Sequence, residues 1–245
     1  MNYRERVYAQ YATTFKDSDL VFDQAAAQRW GAPYRRYFRD WWPRAKDAAI
    51  VDVACGNGML LYLMKDLGYS QITGVDISAE QVALAKQVTP SVIEGDAIAF
   101  LQAHPSAFDA VFGLDIIEHL DKDEALSFLD AAAAALRPEG RLVLQTPNAD
   151  SPMFNTVRYG DFTHENGFTP DGLARLLRAA GFREPEAREV GPIVHGPASI
   201  VRSLIWQCIR GGLRLWHLAE SGAAGSVHTR VFVISAIKPA ASHGC

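Results

Sequence analysis

The chain has 245 residues, 49% hydrophobic and 21% charged, which excludes a mainly disordered, collagen-like or coiled-coil protein. A chain of this length buries about 70% of its unfolded surface and folds without disulfides or metal. The formal net charge of −4 gives no overall basic field for nucleic acid, and the three cysteines, Cys55, Cys208 and Cys245, fit neither a disulfide framework nor a zinc spacing but a reducing cytosol.

Residues 1–46 concentrate aromatic rings, from Tyr3 and Tyr8 through Tyr11, Phe15 and Trp30 to Trp41 and Trp42. They predict a helical cap that ends at Pro43, packed either over a site or simply on the following sheet. Met1–Arg6 lacks the apolar run of a signal peptide, and no window of about 18 apolar residues predicts a membrane span.

From residue 49 the pattern alternates. Ala49–Val53 reads as a strand, and Gly58–Leu67 as a helix with Met59, Leu60, Leu63, Met64 and Leu67 on one side. Gln71–Asp76 is the next strand, followed by a helix that Ser78 caps with Gln81 as its capping-box partner. Ser91–Glu94 is a third strand, Ala97–Gln102 a short helix and Phe108–Gly113 a fourth strand. Asp121 and Glu124 form a capping box for a helix reaching Leu136, and Pro138-Glu139-Gly140 turns into the strand Arg141–Thr146. Strand and helix alternating over short connections predict parallel strands with crossover helices, and the unbroken apolar strands predict cover on both faces.

Residues 147–168 read as a loop, Thr169-Pro170 opens a helix that Gly181 stops, and Glu186–Val190 is a strand. Residues 197–219 are helical and Thr229–Ile237 is the last strand. The whole is a single domain over 1–245, with the cap at 1–46, a cofactor-binding half at 47–146 and a substrate-side half at 147–245.

The segment Val51-Asp52-Val53-Ala54-Cys55-Gly56-Asn57-Gly58 carries chemistry. A strand ends in small residues and opens a helix, so a ligand meets close backbone and free N–H groups. Asp76 ends the second strand, where a carboxylate accepts from ribose hydroxyls, and Asp96 follows the third, within reach of an adenine edge or serving only as a helix cap. Three acids at successive strand ends point to a nucleoside-containing ligand. Leu61 stands where the dinucleotide fingerprint needs its third glycine, and no phosphate-loop motif occurs.

These motifs, with Gly74–Ser78, Gly95-Asp96-Ala97, Phe108–Val111 and Leu136–Leu142, resemble the class I S-adenosylmethionine-dependent methyltransferases over about 50–182. The resemblance implies a Rossmann-like α/β fold, with seven strands, mostly parallel, the last antiparallel, and helices on both faces. It implies S-adenosylmethionine as cofactor and S-adenosylhomocysteine as product. Asp52, Ala54, Gly56, Asn57 and Gly58 would surround the methionine part, Asp76 and Ile77 the ribose, and Asp96, Ala97 and Leu114 complete the cofactor site. Ala54 replaces the first glycine of the family's D/E-x-G-x-G-x-G pattern, which is expected to be harmless if its φ is negative.

Two segments compete for the acceptor. Leu114-Asp115-Ile116-Ile117-Glu118-His119 follows the fourth strand, and its D/E-x-x-E-H form is similar to that of ubiquinone-type O-methyltransferases. An imidazole can remove a hydroxyl proton near neutral pH. In part of that group Asp115, Glu118 and His119 would hold a divalent cation, which is not the favoured reading here. The loop Arg158–Glu165 is similar to one in methyltransferases of bacterial surface polysaccharide pathways. It offers His164 as the favoured base, Asp161 and Glu165 beside it, and Arg158 and Tyr159 for substrate. The leading expectation is an O-methyltransferase of a sugar hydroxyl on a surface glycan or its precursor. The alternatives are a quinone- or phenol-type O-methyltransferase and a non-catalytic cofactor-binding module.

The helix at 197–219 sets Val201, Leu204, Ile205, Cys208, Leu215, Trp216 and Ala219 on one side, and Arg202, Arg210, Arg214 and His217 on another. It predicts core packing, a homodimer contact or peripheral contact with the inner face of a membrane. The expected partners are a small-molecule or glycan acceptor and no nucleic acid, in the cytoplasm.

Overall fold

The computed structural model describes residues 3–8, 21–225 and 227–240. Tyr11 and Phe15 of the aromatic segment, and Cys245, lie outside them. The described elements run α1 (Tyr3–Tyr8), α2 (Gln24–Tyr37), β1 (Ala49–Val53), α3 (Met59–Asp66), β2 (Gln71–Asp76), α4 (Ala79–Ala85), β3 (Val92–Glu94), α5 (Ala97–Gln102) and β4 (Phe108–Leu114). A 3-10 turn (Ile117–His119) precedes α6 (Lys122–Ala135) and β5 (Leu136–Pro147). Then follow α7 (Phe154–Arg158), α8 (Pro170–Ala179), β6 (Arg183–Glu189), α9 (Pro197–Ser221) and β7 (Val231–Ile237).

The strands form one seven-stranded sheet in the order β3-β2-β1-β4-β5-β7-β6. All neighbours run parallel except β7, which is antiparallel to β5 and β6. Along each central strand, side chains alternate between two cores. Val51, Val111, Leu142 and Phe232 meet α6 and α8 through Phe128, Leu129 and Leu173. Ile50, Phe112, Val143 and Val233 face the other way, onto Phe38, Trp41, Leu61 and Met64. Each such side chain contributes roughly 1.5–3 kcal/mol on burial, so two full faces fix the register. Among the described residues, the aromatic segment enters the core from Tyr34 onward: Tyr34, Phe38 and Trp41 are buried, and Trp42 stacks on Phe112.

Several local expectations change. Ser78 starts α4 without a side-chain cap, so the capping box with Gln81 does not form. The expected turn at Pro138-Glu139-Gly140 belongs to β5, whose pairing with β4 shifts register there. The 147–168 loop contains α7. Strand β6 starts earlier than expected, at Arg183, and its pairing shifts between Arg183 and Glu186, with Glu184 at φ 52°. That bulge and the charges of Arg-Glu-Pro-Glu blunt an edge strand against pairing with another chain.

Candidate active site

Parallel strands point their carboxyl ends to one edge of the sheet. Val53 sits beside Val75, Asp76 beside Glu94, and Leu114 beside Gln145. The order reverses about β1, with β2 on one side and β4 on the other, and such a switch point opens a crevice at that edge. A cavity of 1170 Å³ lies there, above the ~300–1,000 Å³ usual for one small ligand.

Every residue expected at the cofactor lines this cavity except Gly58. Gly58 has φ 90°, and a Cβ on it would stand 3.0 Å from the Ala85 Cα. Its lack of a side chain lets α3 approach α4 rather than a ligand. Gly56 differs, because at φ 52° a Cβ there would meet no atom within 4 Å, so the space over it is open. Ala54 has φ 56°, not the expected negative value. It holds a left-handed turn that costs an L-residue about 1–2 kcal/mol and that the family's glycine adopts without strain.

Asp76 is fixed by its own turn. Its Oδ2 accepts from the Gly56 N–H at 2.8 Å and its Oδ1 from the Ser78 N–H at 2.9 Å. Each oxygen keeps a further lone pair, and Asp76 lines the cavity. Asp52 is buried beside it. Burial first, and then the Asp76 charge, push the Asp52 carboxyl well above the usual carboxylate range, and burial raises Asp76 too. Among the described residues no lysine or arginine forms an ion pair with either. Asp96 caps α5, its Oδ1 accepting from the Ala99 N–H, and it also lines the cavity. Ser78 and Gln81 line it as well, with Ser78 Oγ and Gln81 Oε1 buried and without hydrogen-bond partners. The sequence reads them as a cap pair, whereas in the fold they line the candidate site. The missing cap bond is a tertiary fact with no local signal.

At the other end of the cavity the two acceptor segments meet. The Glu118 carbonyl accepts from the N–H groups of Glu165 and Asn166 at 2.7 and 3.0 Å, and the Asn166 side chain donates to the Leu120 carbonyl at 2.6 Å. This strap sets the rings of His119 and His164 4.7 Å apart, edge to face. His164 Nδ1–H donates to the Val157 carbonyl at 3.1 Å, which assigns the lone pair of its neutral ring to Nε2. The Thr163 hydroxyl donates to Asp161 Oδ1 at 2.6 Å, so it accepts from His119 Nδ1–H at 2.9 Å. Arg4 donates to the His119 carbonyl and pairs with Glu124, holding α1 against this turn.

Glu118 is 1% exposed, and neither carboxylate oxygen has a hydrogen-bond partner. Burial and then the Asp115 charge raise it well above its ordinary range. Its oxygen lies within 4.8 Å of ring nitrogens of both histidines. The cation set read from the sequence is not the one assembled. Asp115 accepts from the Gln145 amide with both oxygens, and Gln145 in turn accepts from Tyr34. Glu118, His119 and His164 are the residues that would hold a divalent ion, one oxygen and two nitrogens suited to a borderline metal.

Asp161, Tyr159 and Phe162 line the cavity, but Arg158 and Glu165 do not. Arg158 donates to the Glu165 carbonyl, and the Glu165 carboxylate accepts from Tyr3, so these two brace the loop. Trp30 and Tyr8 line the cavity and carried no sequence signal beyond aromatic density.

A family model described as a methyltransferase domain matches residues 19–184. The chain belongs to the methyltransferase-domain family. Among curated relatives, a ubiquinone biosynthesis O-methyltransferase of Idiomarina loihiensis is 28% identical over 154 residues, 55% of this chain and 61% of that one. One of Xanthomonas campestris pv. campestris is 29% identical over 169 residues, covering 61% and 67%. The match thus spans less than two thirds of the Idiomarina relative's length. A SAM-dependent methyltransferase from Archaeoglobus fulgidus superposes with a TM-score of 0.64 at 23% identity, covering 85% of this chain and 94% of that one. The fold is that of the S-adenosylmethionine-dependent methyltransferases.

The methyltransferase site fits that cofactor chemically. Its ammonium and sulfonium charges suit two buried carboxylates that lack a protein cation. Its ribose and adenine offer partners for Ser78 Oγ, Gln81 Oε1 and the remaining lone pairs of Asp76, and the open space over Gly56 admits it.

Proposed function

We propose that the chain is an S-adenosylmethionine-dependent O-methyltransferase of a phenolic hydroxyl on a lipophilic small molecule, with His164 as the general base. The observation that carries this reading is the His119–His164 pair in the same cavity as the cofactor acids. A hydroxyl must lose its proton as its oxygen attacks carbon, and a positioned base contributes about 10²–10⁴-fold. The bound cofactor would supply a methyl group on positively charged sulfur. Asp52, Asp76, Ser78 and Gln81 hold it at one end of the cavity. His164 Nε2 takes the proton, its ring fixed by the Val157 carbonyl. The buried Glu118 carboxyl lies within 4.8 Å of both imidazoles and packs against the pair. Asp161 and Thr163 orient His119 beside it.

The acceptor class rests on lining. Trp30, Leu120, Val157, Tyr159 and Phe162 give the cavity aromatic and aliphatic lining beside its polar groups, and both relatives named above are ubiquinone biosynthesis O-methyltransferases. Of the residues that the sequence offers to a sugar acceptor, Asp161 and Tyr159 line the cavity, while Arg158 and Glu165 brace the loop. The test is a methyl-transfer assay against prenylated and simple catechols and nucleotide sugars. Catechols should turn over. His164→Ala should lower kcat about 100-fold or more and leave cofactor affinity within about threefold. Turnover on sugars alone would return the acceptor to a glycan precursor. Cofactor binding with no turnover on any hydroxyl would make the chain a binding module, and a fully active His164→Ala would move the base to another residue.

A further inference from the structure

The sequence left α9 open between core, dimer and membrane. The structure excludes the core: of its 25 residues only Ser199 is buried. The side toward the body carries Ser199, Trp206, Arg210 and His217. Arg210 pairs with Glu189 at 3.0 Å, the His217 ring lies 5.5 Å from that of His228, and Trp206 lies against Gly191. At 100° per residue, the opposite side presents Val201, Leu204, Ile205, Leu215, Trp216 and Leu218, and all six are exposed, Leu204 at 62% and Trp216 at 67%. The arginines predicted to share one face do so on the body side: Arg210 turns inward, and Arg202 and Arg214 lie to either side of it, at the two rims of the apolar stripe.

We infer that this outward stripe of α9 seats the protein on an anionic lipid surface. From Val201 to Leu218 the stripe is about 26 Å long at 1.5 Å per residue and has no acidic or basic residue along its middle. Six exposed large apolar side chains in one row form the kind of contiguous patch that marks an interaction surface. No described helix is long and apolar enough to cross a membrane, so the helix lies on the bilayer rather than through it. The rims decide the occupant. Arg202 and Arg214 form no ion pair among the described residues. Glu220, the acid near that rim, accepts from the Trp216 indole. Arg202 and Arg214 outnumber Glu220 around the stripe, and anionic headgroups offer the charge that complements this excess.

The cavity opens on the same edge. α9 is fastened at the end of β6 and the approach to β7, beside the end of β5 where Pro147 lines the cavity. Asn148 donates to the Val227 and Thr229 carbonyls, tying the α9–β7 connection to the base of the acceptor loop. In that loop Tyr159 and Phe162, both lining the cavity, are 77% and 78% exposed. The inference rests on the placement of α9 and stands whether or not the acceptor is phenolic.

Flotation of the full chain with phosphatidylglycerol-containing vesicles, against pure phosphatidylcholine vesicles, tests it. The protein should float with the anionic vesicles and much less with neutral ones. Leu204→Glu with Leu215→Glu should abolish flotation. Arg202→Gln with Arg214→Gln should weaken it about tenfold or more. Circular dichroism and cofactor affinity should match the parent for both variants, since these side chains face solvent. Absence from both vesicles would overturn the inference, as would flotation unchanged by the glutamates. A dimer in sedimentation equilibrium that Leu204→Glu dissociates, with no vesicle binding, would give the stripe to a second copy and equally overturn it.

Discussion

Asp52, Asp76 and Glu118 are buried carboxyls whose protonated form the folded chain favours. Above the ordinary carboxyl range near pH 4, the folded chain therefore binds more protons than the unfolded one. Its unliganded stability is full below that range and falls as pH rises through the raised values. Asp40, Glu124 and Glu186 run the other way, held down first by hydrogen bonds from Arg188, Arg4 and Arg188. Those pairs are part-exposed and screened, so they weigh less. Asp52→Asn should raise the unliganded chain's stability at pH 8 and flatten the loss with pH. It should also weaken S-adenosylmethionine binding, since a neutral amide no longer balances a cation. Thermal melts across pH with and without cofactor check this, and a variant less stable than the parent at pH 8 would refute the cause assigned to the raised carboxyl. The residue identities at this edge were legible, because a strand ending in small residues and three acids at strand ends is a local pattern. The φ of Ala54 and the missing Ser78 cap were not, since both are set by what packs against the turn.

The elements show why the strands were readable and the acceptor loop was not. Apolar runs bounded by turns define β1, β2 and β4 with bounds that differ by at most a residue. The loop after β5 is shaped by long-range bonds, and His119 and His164 were treated as rivals because nothing in their separate segments says that they meet. The strap joining Glu118 to Glu165 and Asn166 makes them neighbours. Asn166→Ala removes the side-chain bond to the Leu120 carbonyl and should cost about 1 kcal/mol of stability. It should lower kcat several-fold by loosening His164 against His119, while cofactor affinity stays unchanged. Equilibrium unfolding and turnover on the same preparation test the pair of effects. Unchanged turnover with lowered stability would mean that the strap serves the fold alone.

For the whole molecule, two apolar faces on one sheet leave a polar edge, and that edge gathers the cofactor acids, the histidine pair and the footing of α9. The amphipathicity of α9 was visible in its sequence, but the direction of its apolar side was not, because direction depends on which face finds a body to rest on. The net charge of −4 likewise concealed buried acids at one end of a cavity and arginines on the rim of an exposed stripe. Everything proposed for this edge depends on the cofactor lying against Asp76. Titration calorimetry of S-adenosylmethionine into the protein and into Asp76→Ala measures that directly. Saturable one-site binding, weakened about tenfold or more when the hydrogen-bonded carboxylate is lost, is the predicted result, and no binding, or equal affinity in the variant, would contradict it.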